Sequence, residues 1–225
     1  MIRNRLILRY EGVRTMARTV GIGIQDFSKI IENNYFYVDK TAFIKEWWES
    51  GDEVTLITRP RRFGKTLNMS MLEQFFSIRY AEKSSVFENL SIWKEEKYRK
   101  LQGAYPVISL SFANVKETEF QTTKDRISKI MQSLYIDYEY LLESEALADS
   151  EKEICRKMMY LTEDVDVTLA IHNLSKFLYK HHDKKAIVLL DEYDTPMQEA
   201  FVNGYWNELV AFMRSMFNAA FKTNP

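Results

Sequence analysis

Apolar residues recur at three- and four-residue intervals along most of the chain, which is the spacing of helices that bury one face. In the helix predicted from Lys65 onward, one face carries the apolar residues Leu67, Met71, Leu72, Phe75 and Phe76. The same spacing predicts further helices at 42–50, 120–141, 154–160, 167–179 and 205–221. The chain is therefore expected to be rich in helix.

Three short runs interrupt this spacing with consecutive apolar or β-branched residues, which predicts buried strands. They lie at 54–58, 107–112 and 186–190. The third run is apolar on both faces, as parallel strands covered by helices are. Strands that alternate with helices predict an α/β fold with a parallel sheet.

Residues that favour helix ends support two of these boundaries. Asp39 or Thr41 is placed to cap the helix at 42–50, and Gly51 is placed to end it. The sequence Thr-Pro-Met-Gln at 195–198 has the form of a capping box with proline at the first helical position. We therefore expect Thr195 to cap a helix that begins there.

Composition excludes several classes of protein. The 225 residues carry 31 basic and 32 acidic side chains, so the net charge of −1 does not favour wholesale nucleic-acid binding. A single cysteine excludes an internal disulfide, and three histidines disfavour a histidine-rich metal site. No apolar run reaches the roughly 18 residues of a membrane-spanning helix. We expect a soluble, cytoplasmic protein with no membrane partner.

The first 20 residues differ from the rest, with five arginines and only one acidic residue. A transit peptide or a nucleic-acid-binding arm has this composition, but Met16 directly precedes sequence of ordinary folded character. We expect residues 1–15 to be a disordered or non-native extension and residues 16–225 to form the folded domain.

The clearest chemistry follows the first predicted strand. Gly64-Lys65-Thr66 matches the second half of the phosphate-binding pattern G-x-x-x-x-G-K-[ST], although Arg59 replaces its first glycine. In this pattern glycine lets the backbone approach a phosphate, lysine reaches the β- and γ-phosphates, and the hydroxyl binds Mg²⁺. The predicted nucleotide-binding residues are Arg59, Pro60, Arg61, Arg62, Phe63, Gly64, Lys65, Thr66 and Leu67. The alternative is a helix N-terminus that contains Gly-Lys-Thr by chance.

The third predicted strand ends in a pair of acids, Asp191 and Glu192. An aspartate at this position beside a phosphate-binding loop holds Mg²⁺, so Asp191 and Thr66 are the predicted metal ligands. Glu192 could activate the attacking water as a general base, and it is the predicted catalytic residue together with Lys65. A buried strand followed by solvated acids is the alternative, but the two motifs occur in the expected order, each on a predicted strand. Together they indicate a P-loop nucleotide-binding domain.

Weaker groups leave two interpretations open. Arg59, Arg61 and Arg62 could clamp phosphates or reach the nucleotide of a neighbouring subunit, or they could form a solvated basic turn. Asp39-Lys40-Thr41 could contact adenine, or it could cap and pack.

Four stretches resemble the AAA-ATPase-like family of bacterial proteins: 23–27, 37–41, 58–68 and 190–196. The run Arg-Pro-Arg-Arg-Phe-Gly-Lys at 59–65 is the most specific of them, and Arg59 agrees with this family's own pattern. The resemblance covers the chain from about Met16 to its end. It implies an α/β P-loop NTPase-type three-layer sandwich, a parallel sheet with helices on both faces. It also implies that C-terminal strands, including a sensor strand, are missing, so that the domain is incomplete at its C-terminus.

The resulting expectation is an ATP-binding domain with Mg²⁺-dependent, slow ATP hydrolysis. One alternative is a nucleotide-binding switch or scaffold with little turnover. The other is the ATPase part of a DNA-acting protein, because full-length family members typically carry a C-terminal nuclease-like domain of the PD-(D/E)xK type. Nucleic acid is a possible partner only by this analogy with the family. The sequence leaves open whether the chain forms a homo-oligomer.

Overall fold

The computed structural model describes residues 18–58 and 63–222, and the side chain of Lys222 is not included. Its α-helices are α1 Phe27–Glu32, α2 Ala42–Ser50, α3 Lys65–Phe76, α4 Glu96–Arg99, α5 Phe120–Asp137, α6 Asp149–Tyr160, α7 Ala170–His182, α8 Thr195–Asn203 and α9 Trp206–Lys222. Shorter 3₁₀ helices lie at Ile78–Val86, Ser91–Lys94, Glu139–Glu143 and Val167–Leu169. The strands are β1 Val107–Ser111 and β2 Ile187–Asp191. The extension predicted at 1–15 lies outside the described residues.

Each predicted helix is present, although the one predicted at 120–141 ends at Asp137 and is followed by the 3₁₀ helix Glu139–Glu143. In α3, Met71, Leu72, Phe75 and Phe76 are buried. The helices α1 and α4 were not predicted, because six and four residues are too few to establish a helical spacing. The start of α1 is fixed by Asp26, whose side chain accepts a hydrogen bond of 3.1 Å from the backbone N–H of Lys29.

The two strands are parallel neighbours, with Val107 opposite Ile187 and Ser111 opposite Asp191. Alternation of side chains then sends Val107 and Leu189 into one core and Ile108 into the other. The first core is built by α1, α2 and α3, and the second by α5 to α9. The fold is thus a helix-rich α/β arrangement in which helices cover both faces of a small parallel sheet.

The prediction of a strand at 54–58 is wrong. These residues form no regular secondary structure, and the side chains of Val54 and Leu56 are 62% and 63% exposed. A strand needs a neighbour to receive its backbone hydrogen bonds. In the part of the chain that the structure describes, the sheet contains only β1 and β2, so 54–58 has no strand to pair with.

The capping box predicted at Thr195 is wrong by one residue. Asp194 is the N-cap of α8, and it makes no side-chain cap bond. The Thr195 hydroxyl donates instead to the carboxylate of Glu192. Pro196 is therefore the second residue of α8 rather than the first, although it still lies in the first turn.

Helices long and apolar enough to cross a membrane do not occur among the described residues.

Gly103 occupies a backbone position that demands glycine for two reasons. Its φ is +62°, and a Cβ atom built there would lie 2.4 Å from the Cα of Ala81. Gly103→Ala should therefore lower the free energy of unfolding by about 3 kcal/mol, from backbone strain plus overpacking. Gly204→Ala is the matched control, because Gly204 has φ +84° but open space around its Cβ position. The free energy of unfolding of this variant should fall by only about 1 kcal/mol, from backbone strain alone. Urea unfolding measures both, and equal losses would contradict the steric argument.

Candidate functional site

A groove of about 810 Å³ lies between β2 and residues 54–58. Phe217 and Phe221 of α9 contribute apolar surface to it. Lys65, Asp191 and Glu192 all line it. The fold thus brings the central lysine of the first motif and both acids of the second to one cavity.

Lys65 owes its place to the residue before it. Gly64 is the N-cap of α3 and has φ +79°, a left-handed conformation that glycine adopts without strain. Its carbonyl accepts the first helical hydrogen bond, from the N–H of Asn68 at 2.9 Å. The helix therefore begins at Lys65, where unpaired N–H groups and the helix dipole favour an anion.

The other predicted nucleotide-binding residues are placed less uniformly. Phe63 is 61% exposed, and Leu67 packs against the core shared by α1, α2 and α3. Thr66 lies in the first turn of α3 but is not among the described residues that line the groove. The stretch 59–62, which holds Arg59, Pro60, Arg61 and Arg62, lies outside the described residues.

The acid pair lies where β2 ends. Asp191 is the last residue of the strand, and its Oδ1 accepts a hydrogen bond of 3.1 Å from the backbone N–H of Glu192. Glu192 itself has φ +52°, which is unusual for a residue with a side chain. Strained backbone of this kind occurs preferentially at functional sites. The turn directs the chain away from the strand immediately after Asp191.

The groove is strongly acidic in its described part. Five of its lining residues are acidic and one is a lysine: Asp52, Glu53, Asp191, Glu192, Asp194 and Lys65. An anionic ligand would meet repulsion here unless cations accompanied it. A divalent metal ion bound with the ligand would supply that compensation.

Two of the predicted metal-binding residues carry oxygen donors, which suit a hard divalent cation such as magnesium. Groups of three or more histidine, cysteine, aspartate or glutamate side chains able to hold a metal do not occur among residues 18–58 and 63–222. Mg²⁺ does not require such a cage, since it commonly binds through one or two carboxylates together with phosphate oxygens and water. The Asp191 carboxylate and the Thr66 hydroxyl are oxygen donors of this type.

Asp39 and Thr41 serve a structural network in this molecule. Asp39 Oδ1 accepts from the Thr41 N–H at 2.8 Å, and Asp39 Oδ2 accepts from the Ser91 N–H at 2.7 Å. Burial opposes the charged form of Asp39, but these hydrogen bonds outweigh it and lower its pKa. Thr41 in turn accepts from the N–H of Ile92 at 3.1 Å. The geometry therefore favours the capping and packing interpretation over an adenine contact.

Several groove residues were not identified from the sequence. Phe217 and Phe221 lie in the helix predicted at 205–221, and a helical spacing does not distinguish a groove wall from a core. Residues 54–58 were expected in a buried strand, whereas they form an exposed wall of the groove. The sequence does single out Asp194, as a residue that positions metal or water or as a turn or cap residue; it lies at the groove, and its side chain accepts from that of Gln198 at 2.9 Å.

Comparisons with known proteins bear on this site. The family model described as "Predicted AAA-ATPase" matches residues 21–225, which confirms the resemblance seen in the sequence. A protein of Azotobacter chroococcum mcd 1, described as "Uncharacterized protein in vnfD 5'region", is 29% identical over 177 residues. The match covers 78% of this chain and 29% of that protein, so the chain spans less than a third of its relative's length. Solved structures gave no match.

Proposed function

Because the chain belongs to the AAA-ATPase-like family, we propose that it binds ATP with Mg²⁺ in the groove and slowly hydrolyses the β–γ bond. A P-loop type of site, at the start of α3 and the end of β2, is part of this proposal. The observation that carries it is that Lys65, Asp191 and Glu192 line the same groove.

Each residue has a separate task in this scheme. The Lys65 ammonium donates hydrogen bonds to the β- and γ-phosphates, and the N-terminus of α3 adds further N–H donors. The Thr66 hydroxyl and the Asp191 carboxylate hold the metal ion. When bound, Mg²⁺ neutralises charge that develops on the phosphate oxygens. The apolar wall formed by Phe217 and Phe221 suits a purine base.

The reaction needs one proton acceptor beside the γ-phosphate. The oxygen of a water molecule forms a bond to the γ-phosphorus while the bond from that phosphorus to the β–γ bridging oxygen breaks, releasing ADP. The Glu192 carboxylate takes the proton that the water loses. Positioning and electrostatic stabilisation supply most of the rate enhancement in such reactions.

Two measurements on the intact chain test this function. Calorimetric titration with ATP, with and without Mg²⁺, should show saturable binding that is stronger with the metal. Release of inorganic phosphate should then be detectable under single-turnover conditions. Absence of nucleotide binding would overturn the proposal. Binding with no phosphate release would point instead to a nucleotide-dependent switch, the alternative that the sequence left open.

A further inference from the structure

The turn that joins β2 to α8 holds Glu192 by two hydrogen bonds from one residue. The backbone N–H of Thr195 donates to the carbonyl of Glu192 at 3.0 Å. The hydroxyl of Thr195 donates to Oε2 of Glu192 at 3.3 Å. The backbone of Glu192 is in the left-handed region, with φ +52°. Thr195 thus fixes both the main chain and the side chain of the proposed base.

A helix-capping role does not explain the Thr195 hydroxyl. Asp194 occupies the N-cap of α8, and the carbonyl of Asp194 accepts the N–H of Gln198 at 2.9 Å. Thr195 is only 8% exposed. Its hydroxyl contacts Oε2 of Glu192, which lies three residues earlier in the same turn. A buried hydroxyl that reaches a groove carboxylate is placed to orient it, because the bond restricts the rotation of that carboxylate.

We propose that Thr195 is a positioning residue for the reaction, one that holds Glu192 so that its Oε1 faces the attacking water. The inference rests on the proposed function, in which Glu192 is the base. The bond to Oε2 assigns the two carboxylate oxygens different tasks: Oε2 anchors, and Oε1 receives the proton. The distance of 3.3 Å is long for an O–H···O bond, and bonds of this kind commonly tighten when substrate binds.

Three substitutions at Thr195 separate the hydroxyl from the rest of the side chain. Thr195→Val keeps the branched shape and removes the hydroxyl, so kcat for ATP should fall about tenfold with KM within twofold of the unchanged chain. Thr195→Ser keeps the hydroxyl and should retain kcat within twofold. Thr195→Ala also removes the hydroxyl but leaves a smaller side chain, and it provides the same test if the valine variant fails to fold. An unchanged kcat in the valine and alanine variants would overturn the proposal, and so would a serine variant as slow as alanine.

A double-mutant cycle with Glu192→Gln excludes a merely structural role. If Thr195 acts through the carboxylate, Glu192→Gln and the double variant Glu192→Gln/Thr195→Val should turn over at the same residual rate. A further tenfold loss in the double variant would show that Thr195 supports the fold rather than the base, and would overturn the proposal.

These results also distinguish failure of the Thr195 role from failure of the proposed ATP hydrolysis on which it rests. If the intact chain binds and hydrolyses ATP but the Thr195 variants match it, the positioning role is wrong and the proposed function stands. If the intact chain releases no phosphate, the proposed hydrolysis fails and the role of Thr195 fails with it.

Discussion

Replacement of Lys65 by alanine is expected to weaken ATP binding and to lower turnover by about 10²–10³-fold. Lys65 is the one lysine among the described groove residues, and five acidic side chains line the same cavity. Removing its charge leaves the polyphosphate facing those acids without the ammonium that offsets them. Single-turnover phosphate release and calorimetric titration measure the two effects.

The control for this substitution is Lys129→Ala, which removes an exposed lysine from the middle of α5, outside the groove. It changes the net charge of the chain by the same amount. We expect it to leave both ATP binding and turnover unchanged. Equal losses in the two variants would mean that overall charge, rather than the position of Lys65, governs the affinity for ATP.

Glu192→Gln should separate binding from chemistry. The amide cannot accept the proton of the attacking water, so turnover should fall by at least about 10²-fold. Binding of ATP should persist, because the substitution removes a negative charge from an already acidic groove and leaves Lys65 in place. Calorimetric titration with ATP and quenched-flow analysis of the bound nucleotide report the two properties in the same preparation.

Glu208→Gln provides the matched control, since Glu208 is an exposed glutamate in the first turn of α9 and does not line the groove. It should hydrolyse ATP at the rate of the unchanged chain. Turnover by Glu192→Gln at the normal rate would show that another group activates the water. Loss of ATP binding in Glu192→Gln would instead assign this carboxylate to ligand or metal binding.

The sequence predicted the long elements well because their burial patterns are local. The spacing of Leu67, Met71 and Phe75 specifies which side of α3 is buried, and the structure places Met71 and Phe75 in the core. The apolar run of β2 and the acids that follow it are likewise contiguous in the sequence. The elements α3 and β2 were predicted correctly for this reason.

Residues 54–58 show where such reasoning fails. Val54, Thr55 and Ile57 have β-branched side chains that favour extended backbone, and the segment is indeed not helical. Whether an extended segment becomes a strand depends on a partner that is remote in the sequence. The two aromatic residues of α9 at the groove were missed for a similar reason, because their contacts depend on how α9 docks.

The case of Thr195 is more subtle. Its residue type suits a helix cap, and the prediction placed the cap only one position away from the observed N-cap, Asp194. That shift changes the role of the Thr195 side chain, because a hydroxyl that does not cap the helix can donate to Glu192. The residue type identifies a class of hydrogen bond, while the conformation of the turn from Glu192 to Thr195 selects the acceptor.

The strand β2 has a consequence for the solution behaviour of the chain. It carries four consecutive apolar residues, Ile187 to Leu190, of which only Leu189 is buried. In the described part of the chain, β1 pairs with one edge of this strand, and no strand pairs with the other. An apolar strand with an open edge and neither lysine nor proline along it is a template on which another chain can pair.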